Sequence, residues 1–276
     1  MLTLLPLLAA TLLGADTVLV SPAWLSAHLA DPGVVVVHVD RNRTAYDAGH
    51  IEGSRFLPLS TIIVEKDGLP NELPPVATLD SVLESIGIGD DSRVIITGDP
   101  LAAARLFFTL DYLGHSYQAA LLDGGTEMWA EGGWPVNTAV SPTRRASFTP
   151  APQPELVPDG AWMMANLETP GVVMLDARPE SDFVAGHIPG SRNIFWKQTL
   201  GGSPPTLRPR AELQAMFKQA GIRAGDRLVT YCRSGMQASY LYFVARYLGY
   251  ETKMYDGSMA EWTRLPGASI ELGMPK

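Results

Sequence analysis

Short runs of β-branched and apolar residues alternate along the chain with longer stretches whose apolar positions recur every three or four residues. The runs are Val34 to Val39, Val94 to Thr97, Val172 to Leu175 and Leu228 to Tyr231. Nearly continuous apolar character over so few residues predicts strands buried on both faces. Leu79, Val82, Leu83 and Ile86 follow an i, i+3, i+4, i+7 spacing, as do Leu213, Met216, Phe217 and Ala220. Each set predicts an amphipathic helix with one core-facing stripe. Strands alternating with helices predict an α/β fold, with mainly parallel central sheets flanked by helices. Ligands of such sheets sit beyond the carboxyl ends of the strands.

The matched helices belong to a longer internal copy. "DAGHIEGSRFLPLS" (Asp47 to Ser60) corresponds to "VAGHIPGSRNIFW" (Val184 to Trp196), which sets His50 over His187 and Arg55 over Arg192. Later, "DYLGHSYQAALLDGGTEMW" corresponds to "RYLGYETKMYDGSMAEW", pairing Trp129 with Trp262. A unit of about half the chain is far longer than a solenoid repeat, so this is a duplicated domain. Pro142, Pro150, Pro152, Pro154 and Pro158 forbid a continuous helix between the copies and predict an extended strap. The expected division is residues 17–138 for the first domain, 139–158 for the linker and 159–272 for the second domain.

Composition narrows the classes. With 276 residues, 46% apolar and 18% charged, two folded domains are expected rather than disorder. A net charge of -8 without a Lys/Arg cluster excludes nucleic acid as the main partner. An anionic substrate then requires a local positive site. The start, an apolar run from Leu2 to Leu13 followed by Gly14-Ala15, has signal-peptide order. Residues 1–15 are therefore expected to be an export leader, giving a periplasmic or secreted protein, with a cytoplasmic one as the alternative. The run is too short to span a membrane. The single cysteine excludes an intrachain disulfide.

That cysteine, Cys232, directly follows the predicted strand Leu228 to Tyr231. After it Ala238, Leu241, Tyr242, Ala245 and Leu248 keep helical spacing up to the C-cap candidate Gly249. The loop Arg233, Ser234, Gly235, Met236, Gln237 and Ala238 therefore opens a helix, where successive backbone N–H groups cradle an anion. The same field, with Arg233 beside it, predicts a thiolate of lowered pKa. A lone cysteine is often a small core hydrophobe, but the polar flanks and the strand-to-helix turn favour chemistry.

The loop "CRSGMQ", the "DAR" of Asp176 to Arg178, the paired "GHIEGS" and "GHIPGS", and the late "DGG" and "DGS" together resemble the rhodanese, or sulfurtransferase, superfamily in its tandem form. The resemblance covers about Val18 to Glu271. It implies two rhodanese-like domains and a double displacement: the Cys232 thiolate takes the outer sulfur of thiosulfate or 3-mercaptopyruvate as a persulfide, then passes it to cyanide or a thiol. No metal or organic cofactor is implied, and the protein is expected to be a monomer with small-molecule substrates. Arg233 inclines the reading to thiosulfate. A persulfide carrier or sensor is the nearest alternative. A phosphatase of similar fold needs an Arg at the loop's far end, where Ala238 stands.

In the first copy Gly98 falls over Cys232 and Asp99 replaces Arg233, so that domain is expected to be silent and to wall the site of the second. Arg178 reads equally as a substrate or loop anchor and as a structural partner of Asp176. Trp196 is a pocket candidate. His187, like His50, occurs in both copies and reads as structural, as do Trp129 and Trp262. The "GGSPPTLRP" stretch reads as a surface connection, with a gate to the site as the alternative.

Overall fold

The structure is a computed structural model that describes residues 18–274. The expected leader, residues 1–15, lies outside the described residues. The first domain runs β1 (Leu19–Val20), α1 (Pro22–His28), β2 (Val34–Asp40), α2 (Thr44–Ala48), β3 (His50–Ile51), β4 (Arg55–Pro58), β5 (Val64–Lys66), β6 (Leu69–Glu72), α3 (Val76–Ser85), β7 (Arg93–Gly98), α4 (Pro100–Tyr112), β8 (Ala119–Leu122), α5 (Gly125–Glu131) and β9 (Val136–Asn137). The second runs α6 (Gly160–Asn166), β10 (Val172–Asp176), α7 (Glu180–Ala185), β11 (Arg192–Asn193), β12 (Leu200–Gly201), β13 (Thr206–Leu207), α8 (Arg210–Gln219), β14 (Arg227–Tyr231), α9 (Met236–Leu248), β15 (Thr252–Met254) and α10 (Ser258–Trp262).

Each domain has a parallel sheet. The orders are β1-β8-β7-β2-β4 and β11-β10-β14-β15. Successive strand residues point to opposite faces, so Val37, Val39, Val94 and Ile96 pack with Leu79 and Leu83 of α3, while Val36 and Ile95 pack with Leu25 and Trp129. In the second domain Leu175 and Leu228 join Leu213 and Phe217 of α8. On the other face Met174 and Val229 meet Met163 and Trp262.

The two domains share one apolar cluster, because α4 and α9 pack against each other. Phe107 meets Phe243 edge-on at 5.2 Å between ring centroids, and Phe108 meets Tyr242 at 5.0 Å. Such pairs contribute ~1 kcal/mol each beyond their buried area. The Tyr242 hydroxyl donates to Asp111 Oδ2 at 2.7 Å, and Arg246 Nε lies 3.1 Å from the same oxygen. The Pro-rich strap lies along the first domain, tied by Ala146 N to Glu84 O, Asp90 N to Ser147 O and Gln153 N to Tyr112 O.

The "GGSPPTLRP" stretch is more than a surface connection. Its hairpin, β12–β13, reaches the first domain, where Leu207 N donates to Asp123 Oδ1 at 2.8 Å. The β5–β6 hairpin makes the reciprocal reach, with Leu73 N donating to Asp256 Oδ2 at 3.2 Å. Asp123 and Asp256 are the aspartates of the repeated "DGG" and "DGS", so each domain lays a hairpin over the strand ends of the other. No helix among the described residues is long and apolar enough to cross a membrane.

Candidate active site

Cys232 follows the last residue of β14, at the carboxyl edge of the second sheet, where Tyr231 pairs with Asp176 of β10. It is 2% exposed. Residues 232–235 form the turn into α9, and Gly235 has φ 84. A Cβ at Gly235 would collide with Asp256 Oδ1, so both conformation and space require glycine there. The turn is clamped from behind by Ser258, whose Oγ accepts from Cys232 N at 3.1 Å and Gly235 N at 3.2 Å and donates to Tyr255 O at 2.9 Å. Met259 N and Ala260 N hold the carbonyls of Cys232 and Arg233.

Burial pushes the Cys232 thiol up, while hydrogen bonds from the backbone N–H groups of Ala238, Ser234 and Gln237 pull it down; the Asp176 charge adds to the upward push, and the net shift is upward. This corrects the expectation of a lowered thiol pKa. The cradle is present, but in the closed site desolvation outweighs it, because a thiolate there loses its water on every side. The resting group is a thiol whose surroundings are nonetheless arranged to receive negative charge on sulfur.

The other expected site residues take distinct positions. The Arg233 side chain is 76% exposed and pairs with Asp182 at 3.2 Å. Arg178 is buried and commits Nε and Nη2 to Asp176, with a further bond from Nη2 to Gly186 O at 2.8 Å. Burial alone would pull the guanidinium down, but the bonds and charge of Asp176 hold it above its ordinary value. Trp196 and Met236 belong to the same apolar cluster as Cys232, and Trp196 rests on the Tyr240 ring at 5.2 Å. Ala238 is fully buried, and Gln237 Oε1 is buried without a hydrogen-bond partner. His187 and His50 each bond a backbone carbonyl through Nδ1, of Phe183 and Tyr46, and stack on those residues' rings at 3.7 Å.

Sequence reasoning missed what the first domain supplies. Asn71, within β6 of the β5–β6 hairpin, donates through Nδ2 to Ser234 O at 3.0 Å and to Ser234 Oγ at 3.1 Å. Arg105 of α4, fully buried, grips both oxygens of Asp256 at 2.5 and 2.8 Å and donates to Asn71 O at 2.6 Å. Beside this pair, burial and then the Asp256 charge push Glu72 up to about 7. The repeated Asp123 and Asp256 were the available signal, but their partners are far away in sequence. Ser258, at φ 51, matches Gly125 of the first copy, and that difference was also readable.

At the matching edge of the first domain, Asp99 caps α4 by accepting from Ala102 N at 2.9 Å. A built-in carboxylate thus fills the helix start that the second domain leaves to sulfur. A cleft of about 630 Å³ opens there, lined by Thr97, Gly98, Asp99 and others and walled by Leu200, Pro205 and Tyr240 of the second domain.

Two parallel α/β domains, one with a cysteine at the mouth of a strand-to-helix anion cradle, define a class of sulfur-handling folds. The family profile of the rhodanese-like domain matches residues 21–132 and 159–265, and the chain belongs to that family. It is 32% identical to the sulfur carrier protein TtuD of Thermus thermophilus, over 93% of this chain and 97% of that one. Relatives in Mycolicibacterium smegmatis (93% of this chain) and Pseudomonas aeruginosa (92%), each 30% identical over 98% of their own length, are named for thiosulfate and 3-mercaptopyruvate sulfurtransfer. The wild-type structure of EanB superposes with a TM-score of 0.83 at 22% identity, covering 93% of this chain and 69% of that one.

Proposed function

We propose that the protein is a sulfurtransferase that moves the outer sulfur of thiosulfate to a thiophilic acceptor through a persulfide on Cys232. The observation that carries this reading is the convergence of the Ser234, Gln237 and Ala238 N–H groups on the Cys232 sulfur at the start of α9. The thiol loses its proton to solvent, and the sulfur attacks the sulfane sulfur of the donor. The donor S–S bond breaks, sulfite leaves with the bonding pair, and the terminal persulfide sulfur carries the negative charge. Cyanide or a thiolate then attacks that terminal sulfur, and Cys232 departs as thiolate. Fixed N–H dipoles stabilise each anionic state without reorganising.

Arg233 is the mobile positive group that meets the donor, after release from Asp182. Arg178 with Asp176 holds the Gly186 carbonyl and the floor of the site, and Trp196 closes its apolar side. Residues 17–138 and 159–272 act as silent and catalytic halves around the linker 139–158. The leader order of residues 1–15 supports export to the periplasm or beyond, checked by finding a mature start near Asp16. The chain acts as a monomer, checked by light scattering.

Release of sulfite from thiosulfate with cyanide as acceptor tests the activity, with Cys232→Ser as control and 3-mercaptopyruvate as the competing donor. A second reading, a persulfide carrier for a protein partner, is favoured by the name of the Thermus relative. Slow turnover with a persulfide still trapped on Cys232 selects the carrier. Full activity of the Ser variant defeats both.

A further inference from the structure

We propose that the cleft of the first domain is a binding site for a cationic small molecule with an apolar body, separate from the sulfur chemistry at Cys232. Its volume of about 630 Å³ is that of a small-molecule site. His38 lines it, is 3% exposed, and leaves both ring nitrogens without a hydrogen-bond partner. A neutral imidazole presents one donor and one acceptor, so His38 is an unpartnered buried polar side chain in the wall of the cleft. Its ring is fixed edge-on to Tyr46 at 5.6 Å, so it is a rigid feature of the wall.

Charge selects the ligand. The lining carries Asp40, Asp99 and Glu127 but no Lys or Arg. Three carboxylates around a half-enclosed space of low polarity set up a negative potential that attracts cations and repels thiosulfate-like anions. Asp99 occupies the helix start that would otherwise attract an anion. The remaining wall is apolar, with Leu200 and Pro205 contributed by the β12–β13 hairpin and the Tyr240 ring by α9. An aromatic face suits an ammonium group and an apolar body together.

The probes are phenylbutylamine and phenylbutyrate, matched in body and opposite in charge. Each is titrated into the full chain while the methyl signals of Ala130, from the first domain, and Leu200, from the second, both in the lining of the cleft, are followed by NMR. The amine is expected to saturate one site and to shift both methyls, while the carboxylate leaves them unmoved. Asp40→Asn and Glu127→Gln are each expected to weaken the amine by about fivefold, and Cys232→Ser to leave it unchanged. Methyl mapping on the unaltered protein keeps the test valid if a substitution perturbs folding. Binding of neither probe, equal binding of both, or amine binding that spares these methyls or ignores both substitutions overturns the proposal.

Discussion

Asn71 of the first domain donates two hydrogen bonds to Ser234 of the second, one to its carbonyl and one to its hydroxyl. Ser234 also supplies one of the N–H groups that face the Cys232 sulfur. The first domain therefore sets the Cys232 turn directly. Asn71→Ala is expected to lower kcat/KM for thiosulfate about tenfold or more, the worth of the two lost hydrogen bonds. Thermal stability should fall as well, because Asn71 holds a φ of 64 that strains alanine, and steady-state kinetics beside a melting curve checks both.

Behind that contact stands the Arg105–Asp256 pair. Removing only the cation strands a buried carboxylate, so Arg105→Leu should destabilise the protein by about 3–5 kcal/mol. The double substitution Arg105→Leu with Asp256→Leu should recover much of that loss. Urea unfolding of the three proteins gives the comparison.

Glu72 adds a pH dependence whose sign follows from burial. Its carboxyl is raised from the ordinary 4.5 to about 7 in the folded chain, so the folded state holds the proton where the unfolded state has lost it. Stability is highest below pH 4.5 as far as this group is concerned, and falls as pH rises through about 7. Glu72→Gln should remove that slope, read as the change in unfolding free energy between the two pH values.

The Ser258 hydroxyl accepts from Cys232 N and Gly235 N. Ser258→Ala leaves two buried N–H groups unpaired and should lower the rate of persulfide formation by about tenfold or more, since each orphaned donor costs ~1–3 kcal/mol. An unchanged rate would show that the turn holds its shape without the clamp.

The repeat, the parallel sheets and the position of Cys232 were legible because they rest on local patterns: strand runs, helical spacing and motifs that recur within one chain. The structural roles of His50 and His187 followed from their presence in both halves. What escaped was long-range. Arg105 and Asp256 stand 151 residues apart, and Asn71 and Ser234 stand 163 apart, and no periodicity joins them. The thiol's raised pKa escaped for another reason. Composition around Cys232 reveals the N–H cradle but not how completely Met236, Ala238 and the shared core exclude water from it.

The central claim is that Cys232 accepts sulfur. Incubation with thiosulfate followed by intact-mass measurement should show the gain of one sulfur atom on Cys232, with one equivalent of sulfite released. Because burial raises the thiol, the rate should climb with pH through and beyond the ordinary thiol range. Cyanide should remove the added sulfur, and Cys232→Ser should never acquire it. Sulfite release without added mass on Cys232, or an equal gain in the Ser variant, would contradict the account.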